Sequence, residues 1–358
     1  IAQTDPAGPA DGTFKVSRGG SHNTDVRFLR SSCRFGTLPE DRSWLIGFRI
    51  VQAEMTVPSA WNANIEKLWQ KEVSQSRYDW IMGSDCRKPL FTVPKPYVIP
   101  PPEGNGEPFH RHNHCPSITW CDNGDLLAVW FSTVNESGRE MAILASRLRG
   151  GKSTWEPAGE FFNAPSRNMT GSSLFNDGRG TIYHFNGLGT NEGWANLALV
   201  LRTSQDNGAT WSRPRFIHPE HQRGNQVISG TSMTAENIIV QPCDADWKSD
   251  GGTVVHLGLE GGKEWIRPCS ICGGTEFAEG KTGGRIAGIH AGVVSLENGA
   301  LMALGRGDSI DGRMPMSLST DMGRSWSYHA SCFPPIGCGQ RLILMRLAEG
   351  PILLISFT

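Results

Sequence analysis

The feature that most constrains the fold is a recurring unit of two short apolar strands joined by a turn rich in Asn, Asp, Glu or Gly. The unit recurs with turns at 122–124, 176–178, 297–299 and 349–350. Turns of this composition connect antiparallel neighbours. Because each unit is one supersecondary element repeated in series, the sequence predicts an all-β repeat architecture.

A second motif follows most of these hairpins. Residues 204–211 and 319–326 both read S-x-D-x-G-x-[ST]-W, and looser copies end at Trp155 and Trp265. The Ser and Asp side chains suit hydrogen bonds within a turn, Gly suits its strained position, and Trp suits a place between neighbouring sheets. The tryptophans recur at intervals of roughly 55–60 residues, a length that a four-stranded blade can occupy.

The two complete motifs resemble the Asp boxes of sialidases, which lie between the third and fourth strands of propeller blades. The resemblance covers about residues 110–358 and implies a sialidase-like β-propeller of six or seven blades. Four blades and the start of a fifth are counted here, so we expect one or two more beyond the carboxyl end of this sequence. The box itself is a structural turn away from the active face.

The first residues follow a different pattern. The stretches 17–21, 30–34 and 46–51 resemble the GGS…R…GFR end of a formylglycine-generating-enzyme (sulfatase-modifying factor) domain, an α+β fold. Catalytic members carry two copper-binding cysteines between these motifs, whereas this interval holds only Cys33. The resemblance therefore implies a tail without the oxidase activity.

These patterns divide the chain into three parts. Residues 1–54 form the formylglycine-generating-enzyme-like tail, 55–105 a helix and Pro-rich linker, and 106–358 the propeller. The helix is predicted from apolar positions at helical spacing, namely Trp61, Ile65, Leu68 and Trp69.

Composition narrows the possible partners. The chain has 43 Gly, 22 Pro and 12 Trp, which suits an all-β protein with many turns. A net charge of -1 gives no basic footprint for nucleic acid, and no apolar run reaches the length of a membrane span. We expect no cofactor and no metal; a zinc site at Cys269 and Cys272 with Cys243 and His256 is the alternative. The family resemblance implies a secreted or periplasmic location.

In a propeller, the starts of the first strands and the ends of the second strands converge at one end, where ligands bind. Blade one starts with His110, His112 and His114 on one face of an extended chain and Asn113 on the other. Imidazoles there suit a general acid or base, so His112 and His114 are candidate catalytic residues and Asn113 a candidate substrate contact. Metal ligation and a hydrogen-bonded polar loop are the alternatives.

The remaining blades add further candidates. Tyr183 and Asn186 lie where the second strand of blade two is expected to end, and Tyr183 could act as acid, base or nucleophile. In blade three the first strand is expected at Ile238–Val240, with His256 in the next. Blades two, four and five supply the other candidate substrate-binding residues, which are Arg167, His290, Arg306 and Arg341.

The three arginines, Arg167, Arg306 and Arg341, resemble the cluster by which sialidases bind the substrate carboxylate. Sialidases begin the first blade with an Arg-Ile-Pro-like motif, whereas 113–118 here reads Asn-His-Cys-Pro-Ser-Ile. Glu136 is the nearby substitute for the acid expected in the following loop. The resemblance implies an exo-glycosidase that cleaves a glycosidic bond next to an acidic sugar, with an acidic oligo- or polysaccharide as partner.

Two other functions stay open. The combination of His, Tyr and Arg is similar to that of propeller polysaccharide lyases, which act on uronic acids by β-elimination. Such chemistry needs a group that neutralises the uronate, a base for the adjacent proton and an acid for the leaving oxygen. A non-catalytic glycan-binding propeller is the third possibility.

Overall fold

The computed structural model describes residues 12–21, 24–47, 66–80, 93–189, 194, 196–245, 251–269, 276–337, 339–347 and 349–357. One short 3-10 helix, Val26–Phe28, lies in this part of the chain, and the other regular elements described are strands. The strands are β1 (Lys15–Arg18), β2 (Arg34–Thr37), β3 (His112–Trp120), β4 (Leu126–Thr133), β5 (Ala142–Leu148), β6 (Gly159–Phe162), β7 (Ser172–Asn176), β8 (Ile182–Gly189), β9 (Leu197–Ser204), β10 (Arg215–Gln222), β11 (Gln226–Val227), β12 (Ser232–Met233), β13 (Ile239–Asp244), β14 (Thr253–Leu259), β15 (Glu264–Ile266), β16 (Thr282–Gly283), β17 (Ile289–Ser295), β18 (Leu301–Arg306), β19 (Pro315–Ser319), β20 (Trp326–Ala330), β21 (Ile343–Arg346) and β22 (Ile352–Ile355).

Five antiparallel sheets follow one another along the chain after the β1–β2 hairpin. Sheet I is β3–β6 and sheet II is β7–β10, each in chain order. In sheet III, β11 and β12 both pair with β13, which is followed by β14 and β15. Sheet IV has the order β17-β18-β19-β20-β16, and sheet V is the β21–β22 hairpin. The first strands contact one another, β3 with β7, β12 with β17 and β17 with β21, which is the arrangement of propeller blades.

The sheets are held together by apolar layers between them. Separate buried clusters join sheet I to II, II to III, III to IV and IV to V. Middle strands are covered on both faces, and β4 and β5 are accordingly buried almost throughout. This explains why their sequences are near-continuous apolar runs rather than alternating ones. The structure therefore confirms an all-β fold of repeated sheets, and the described sheets form an open series rather than a closed ring.

Both Asp boxes adopt the same hydrogen-bonded turn between the third and fourth strands of their sheets. In one, Oδ1 of Asp206 accepts from the Ser204 hydroxyl at 2.7 Å and from the Thr210 amide at 2.9 Å. In the other, Oδ1 of Asp321 accepts from Ser319 at 2.8 Å and from the Ser325 amide at 2.9 Å. The tryptophan that ends the second box, Trp326, is fully buried. The all-β repeat and the turns predicted from these motifs are confirmed.

The amino-terminal segment packs on the first two sheets. The ring of Phe14 lies 6.0 Å from that of Phe162, and the amide of Gly36 donates to the carbonyl of Pro165 at 2.7 Å. The resemblance of residues 1–54 to a formylglycine-generating-enzyme domain stays a prediction. The described residues include no helix long and apolar enough to cross a membrane.

The predicted helix of the linker falls partly outside the described residues, since Trp61 and Ile65 are not among them. Residues 68–72 form turns rather than a regular helix. Trp69 is buried there, and its indole N–H donates to the carbonyl of Glu160 at 3.0 Å. This part of the linker is held on sheet I by the Trp69 side chain and by the guanidiniums of Arg147 and Arg149, which donate to backbone carbonyls of residues 68–72.

Candidate active site

One end of the sheets collects the polar residues that begin first strands and end second strands. The registers place His112 opposite Thr133, and Ile289 opposite Arg306. Asp244 ends β13 in the same way, and Arg341 lies just before β21. We call this end the mouth, meaning residues 110–115, 134–140, 244, 288–291, 306 and 340–341.

Two of the first strands carry a bulge at the mouth. The register of β3 shifts between His114 and Ser117, and that of β17 shifts between Ile289 and Gly292. Within these bulges Cys115 has φ +54° and His290 has φ +49°, a left-handed conformation that side chains other than Gly rarely adopt. Bulges re-aim side chains next to functional sites, and such strain persists where the surroundings hold it in place.

His114 lies at the accessible side of the mouth. Its Nε2 is 3.7 Å from Oε1 of Glu136, and both side chains are about half exposed. The ring packs edge-on against Phe131 at 5.5 Å and lies 5.4 Å from that of His112. Burial and the charge of Arg341 lower the pKa of His114, so the imidazole is neutral and able to accept a proton at pH 7.

Asp244 and His290 form a second carboxylate–imidazole pair, deeper than the first. Oδ2 of Asp244 is 3.4 Å from Nδ1 of His290, and the side chains are 1% and 10% exposed. Oδ1 accepts from the backbone amide of His290 at 2.7 Å and from the Thr253 hydroxyl at 3.1 Å. Burial raises the pKa of Asp244 to about 7, although these hydrogen bonds oppose it. Burial and the charges of Arg341 and Arg306 hold the pKa of His290 well below its usual value.

Two arginines of the mouth, Arg306 and Arg341, bring positive charge close to both carboxylate–imidazole pairs. Nη1 of Arg306 donates to the carbonyl of Gln340, and Nη2 of Arg341 lies 2.8 Å from Sγ of Cys115. The charges of both guanidiniums act on His114, His290 and Asp244, which places all five groups within electrostatic reach of one another. A planar guanidinium suits a carboxylate ligand, and two of them favour a singly charged acid.

The structure does not bring Tyr183 to this place. Strand β8 runs on to Gly189, so Tyr183 lies near its start, about 20 Å from the mouth end at 3.3 Å per residue. Its hydroxyl donates to the carbonyl of Gly261 at 3.0 Å. The ring borders a cavity of about 280 Å³ at the opposite end of sheets II and III, lined also by Asp177, Arg179 and Glu236.

Arg167 lies before β7 but serves another purpose. Its Nη2 is 3.2 Å from Oδ2 of Asp41, and both side chains are fully buried. Nη1 donates to the carbonyl of Gly36 at 3.1 Å, and Nε donates to that of Gly189. This guanidinium is thus occupied by groups of the chain itself.

Three other candidate residues, Asn113, Asn186 and His112, mainly form hydrogen bonds within the chain or pack against apolar side chains. Asn113 accepts from the indole of Trp130 at 3.0 Å and donates to the carbonyl of His110 at 2.9 Å. Asn186 is buried, and its amide donates to three backbone carbonyls. The ring of His112 stacks on Phe131 at 6.1 Å, beside His114. The mouth thus brings together His112, His114, Glu136, His290, Arg306 and Arg341.

Asp244 is the residue that the sequence pattern missed. The segment Ile238–Val240 was expected to open the first strand of blade three, but β11 and β12 fill that position and β13 is the second strand. The rule that second strands end at the mouth would have found Asp244 if the strand had been placed correctly. His256, expected in the following strand, is buried and hydrogen-bonded to the carbonyl of Gly224 at 2.7 Å.

The alternative of a zinc site has no support in the residues described. They include no group of three or more His, Cys, Asp or Glu side chains that could hold a metal ion. Cys272, the second cysteine of the pair, lies outside the described residues. Cys243 and Cys269 are buried free thiols.

The repeated Asp-box sheets and the polar mouth define an all-β protein with a sialidase-like fold. Residues 124–355 match the BNR repeat-like domain, and the chain belongs to that family. No curated protein matches the chain.

Solved structures of several organisms share the fold. A protein of unknown function from Dyadobacter fermentans is 17% identical, with a TM-score of 0.51 over 72% of this chain and 76% of that one. The NanB sialidase from Streptococcus pneumoniae is 12% identical, with a TM-score of 0.51 over 74% of this chain and 59% of that one. A leech intramolecular trans-sialidase is also 12% identical, with a TM-score of 0.51 over 74% and 58%. Identities this low establish the fold, and the chemistry has to be argued from the mouth.

Proposed function

We propose that this chain is a carbohydrate-active enzyme that hydrolyses a glycosidic bond next to an acidic sugar. The observation that carries the proposal is the convergence of Arg306 and Arg341 on two carboxylate–imidazole pairs at the mouth. Glycosidases need an anchor for the sugar and a pair of groups that give and take protons at the scissile bond. An acidic sugar is favoured because a planar guanidinium suits a carboxylate ligand, and two of them lie within electrostatic reach of His114, Asp244 and His290.

The roles follow from depth and charge. Arg306 and Arg341 hold the sugar carboxylate through charge-assisted hydrogen bonds. The first pair, His114 and Glu136, is accessible enough to reach the bond and to activate water, because both side chains are about half exposed. We also propose that the protein acts in a secreted or periplasmic location.

β-Elimination of a uronic acid is the second candidate, and one observation favours it. The lowered pKa of His114 leaves a neutral imidazole beside two guanidiniums, as a base next to a neutralised uronate requires. Tyr183 does not serve as its acid, because its hydroxyl is bonded to Gly261 away from the mouth.

The test is incubation of the protein with sialosides and with uronic-acid polysaccharides. Released reducing sugar and the ultraviolet absorbance of a new conjugated double bond are followed together. Reducing sugar without absorbance supports the hydrolase, and a rise of both identifies a lyase. Binding without either signal identifies a glycan-binding module. If the protein neither binds nor turns over any sugar of the panel, the proposal is contradicted.

A matched pair of variants ties the activity to the mouth. His114→Gln removes the proton-accepting imidazole and is expected to lower kcat on the order of 100-fold. His329→Gln removes a similar carboxylate–imidazole contact, His329 to Glu279 at 3.0 Å, on the outer strand β20, and should leave kcat unchanged.

A further inference from the structure

In the deeper pair at the mouth, Asp244 and His290, one carboxylate oxygen is fully hydrogen-bonded and the other is not. Oδ1 of Asp244 accepts from the His290 amide and from the Thr253 hydroxyl. Among the described residues, neither Oδ2 of Asp244 nor Nδ1 of His290 has a hydrogen-bond partner; both atoms are buried, and they lie 3.4 Å apart. Two buried acceptors facing each other are unfavourable unless a proton lies between them. One proton shared by this pair would relieve the contact.

Charges from several elements face the pair. Arg306 ends β18, Arg341 precedes β21 and His114 lies in β3. Beside burial, the charges of these three residues lower the pKa of His290. The two guanidiniums also act on Asp244, where they favour the ionised carboxylate. Burial raises the pKa of the Cys115 thiol in β3, and the charge of Asp244 adds to this effect. In the free protein the arginines thus oppose the proton that burial favours.

We propose that Asp244 and His290 form a proton store, meaning a pair of side chains that holds one proton for the reaction. The pair takes up this proton when an acidic sugar binds between Arg306 and Arg341, and His290 then passes a proton to the leaving oxygen. The inference rests on the proposed function and adds a catalytic residue, His290, and a positioning residue, Asp244, to it.

The coupling follows from electrostatics. A ligand carboxylate that pairs with the two guanidiniums cancels the charge that favours ionised Asp244. Desolvation then prevails, and the carboxyl takes up a proton. Because binding and protonation share the same two arginines, each must strengthen the other.

The bond changes balance over the two steps. In the first, the Nε2 proton of His290 moves to the glycosidic oxygen, which takes the electron pair of the breaking carbon–oxygen bond. The proton on Oδ2 of Asp244 moves to Nδ1 of His290, so the pair becomes negatively charged as the sugar cation forms. In the second step His114 takes the proton of the water that bonds to that carbon, and it then releases this proton to solvent. The Asp244–His290 pair regains one proton from solvent when the next sugar binds.

The test is isothermal titration calorimetry at pH 7.5 with N-acetylneuraminic acid and with glucuronic acid, in two buffers of different ionisation enthalpy. The difference between the buffers gives the number of protons taken up per bound sugar. We expect uptake of a large fraction of one proton by the unmodified protein and almost none by Asp244→Asn. The His329→Gln control should take up the same amount as the unmodified protein.

Two further measurements separate the possible failures. Binding without proton uptake, or uptake that persists in Asp244→Asn, overturns the inference and leaves the proposed function intact. If neither sugar binds, the proposed function fails, and carbon-13 NMR of labelled aspartate in the free protein decides the proton store. A carboxyl signal that titrates between pH 6 and 8, and moves in His290→Gln, supports a shared proton. A signal that stays constant from pH 5 to 9 overturns it.

Discussion

The guanidinium of Arg167 donates to the carboxylate of Asp41 across 126 residues of sequence, at 3.2 Å between Nη2 and Oδ2. Neither side chain is exposed. The other oxygen of Asp41 lies 2.8 Å from Nε2 of His221 on β10. Burial raises the pKa of Asp41, but the hydrogen bond and charge of His221 and the charge of Arg167 outweigh it and hold the pKa below its usual value. An arginine expected to grip substrate thus fastens the amino-terminal segment to sheet II.

Removal of Asp41 should be strongly destabilising. Asp41→Ala leaves Arg167 buried without a counter-charge, and breaking such a pair costs roughly 3–5 kcal/mol of unfolding free energy. Urea unfolding followed by tryptophan fluorescence measures the change. The neighbouring pair of Arg42 and Glu220 is a matched control, because at 3.5 Å and with both side chains well exposed its loss in Glu220→Ala should cost under about 1 kcal/mol. Equal losses in the two variants would contradict the assignment.

The sequence predicts the repeated elements well because their signals are local. A turn such as 122–124 and a box such as 319–326 are closed by hydrogen bonds between near neighbours, Gly124 to Cys121 in the first and Ser325 to Asp321 in the second, so a few neighbouring residues decide the local structure. The site is harder to predict, because it depends on where strands end. Strand β8 continues past Asn186, which moves Tyr183 away from the mouth, and the short β12 shifts Asp244 to the end of a second strand. Neither fact has a local signature.

The buried carboxyl of Asp244 should make the protein less stable at alkaline pH. Its pKa is raised from 3.8 to about 7, so between these values the unfolded chain releases a proton that the folded protein keeps. The stability that this group contributes is therefore complete below pH 3.8 and is lost as pH rises through 7, a change on the order of 4 kcal/mol. Asp244→Asn should exceed the unmodified protein in unfolding free energy at pH 8 and match it near pH 4. An unchanged difference between these pH values would refute this.

His256 should contribute to unfolding in acid. Burial lowers its pKa from 6.5 to about 3, while its Nε2 stays bonded to the carbonyl of Gly224. Below pH 6.5 the unfolded chain gains a proton that the folded protein refuses, so stability falls toward pH 3 by roughly 4–5 kcal/mol from this residue. His256→Gln can keep a donor to Gly224 and should show a shallower acid limb in thermal melts. His329→Gln, on the surface, should retain the steep limb of the unmodified protein.

The glycine of an Asp box should resist substitution for two separable reasons. Gly323 has φ +81°, and a Cβ there would lie 2.7 Å from Cγ2 of Val255 in the neighbouring sheet. Gly178 has φ +67°, but such a Cβ would have no atom of the described residues within 4 Å. Gly178→Ala therefore meets the backbone strain alone, about 1–2 kcal/mol, whereas Gly323→Ala adds overpacking of about 1–3 kcal/mol. Chemical denaturation of both variants measures the difference, and equal losses would show that the turn, not the packing between sheets, selects glycine.

The arginines of the mouth should govern affinity for an acidic sugar. Arg306→Ala or Arg341→Ala removes a charge-assisted contact worth roughly 1.5–3 kcal/mol, so the Kd for a carboxylate sugar should rise on the order of 10-fold to 100-fold. Arg346→Ala is the matched control, because Arg346 lies at the far end of β21 and pairs with the exposed Glu297 at 2.9 Å. Calorimetry with an acidic sugar and its uncharged methyl ester distinguishes charge recognition from a general loss of shape. If the variants lose the acid and the ester alike, the arginines support the structure of the mouth and do not read the charge of the ligand.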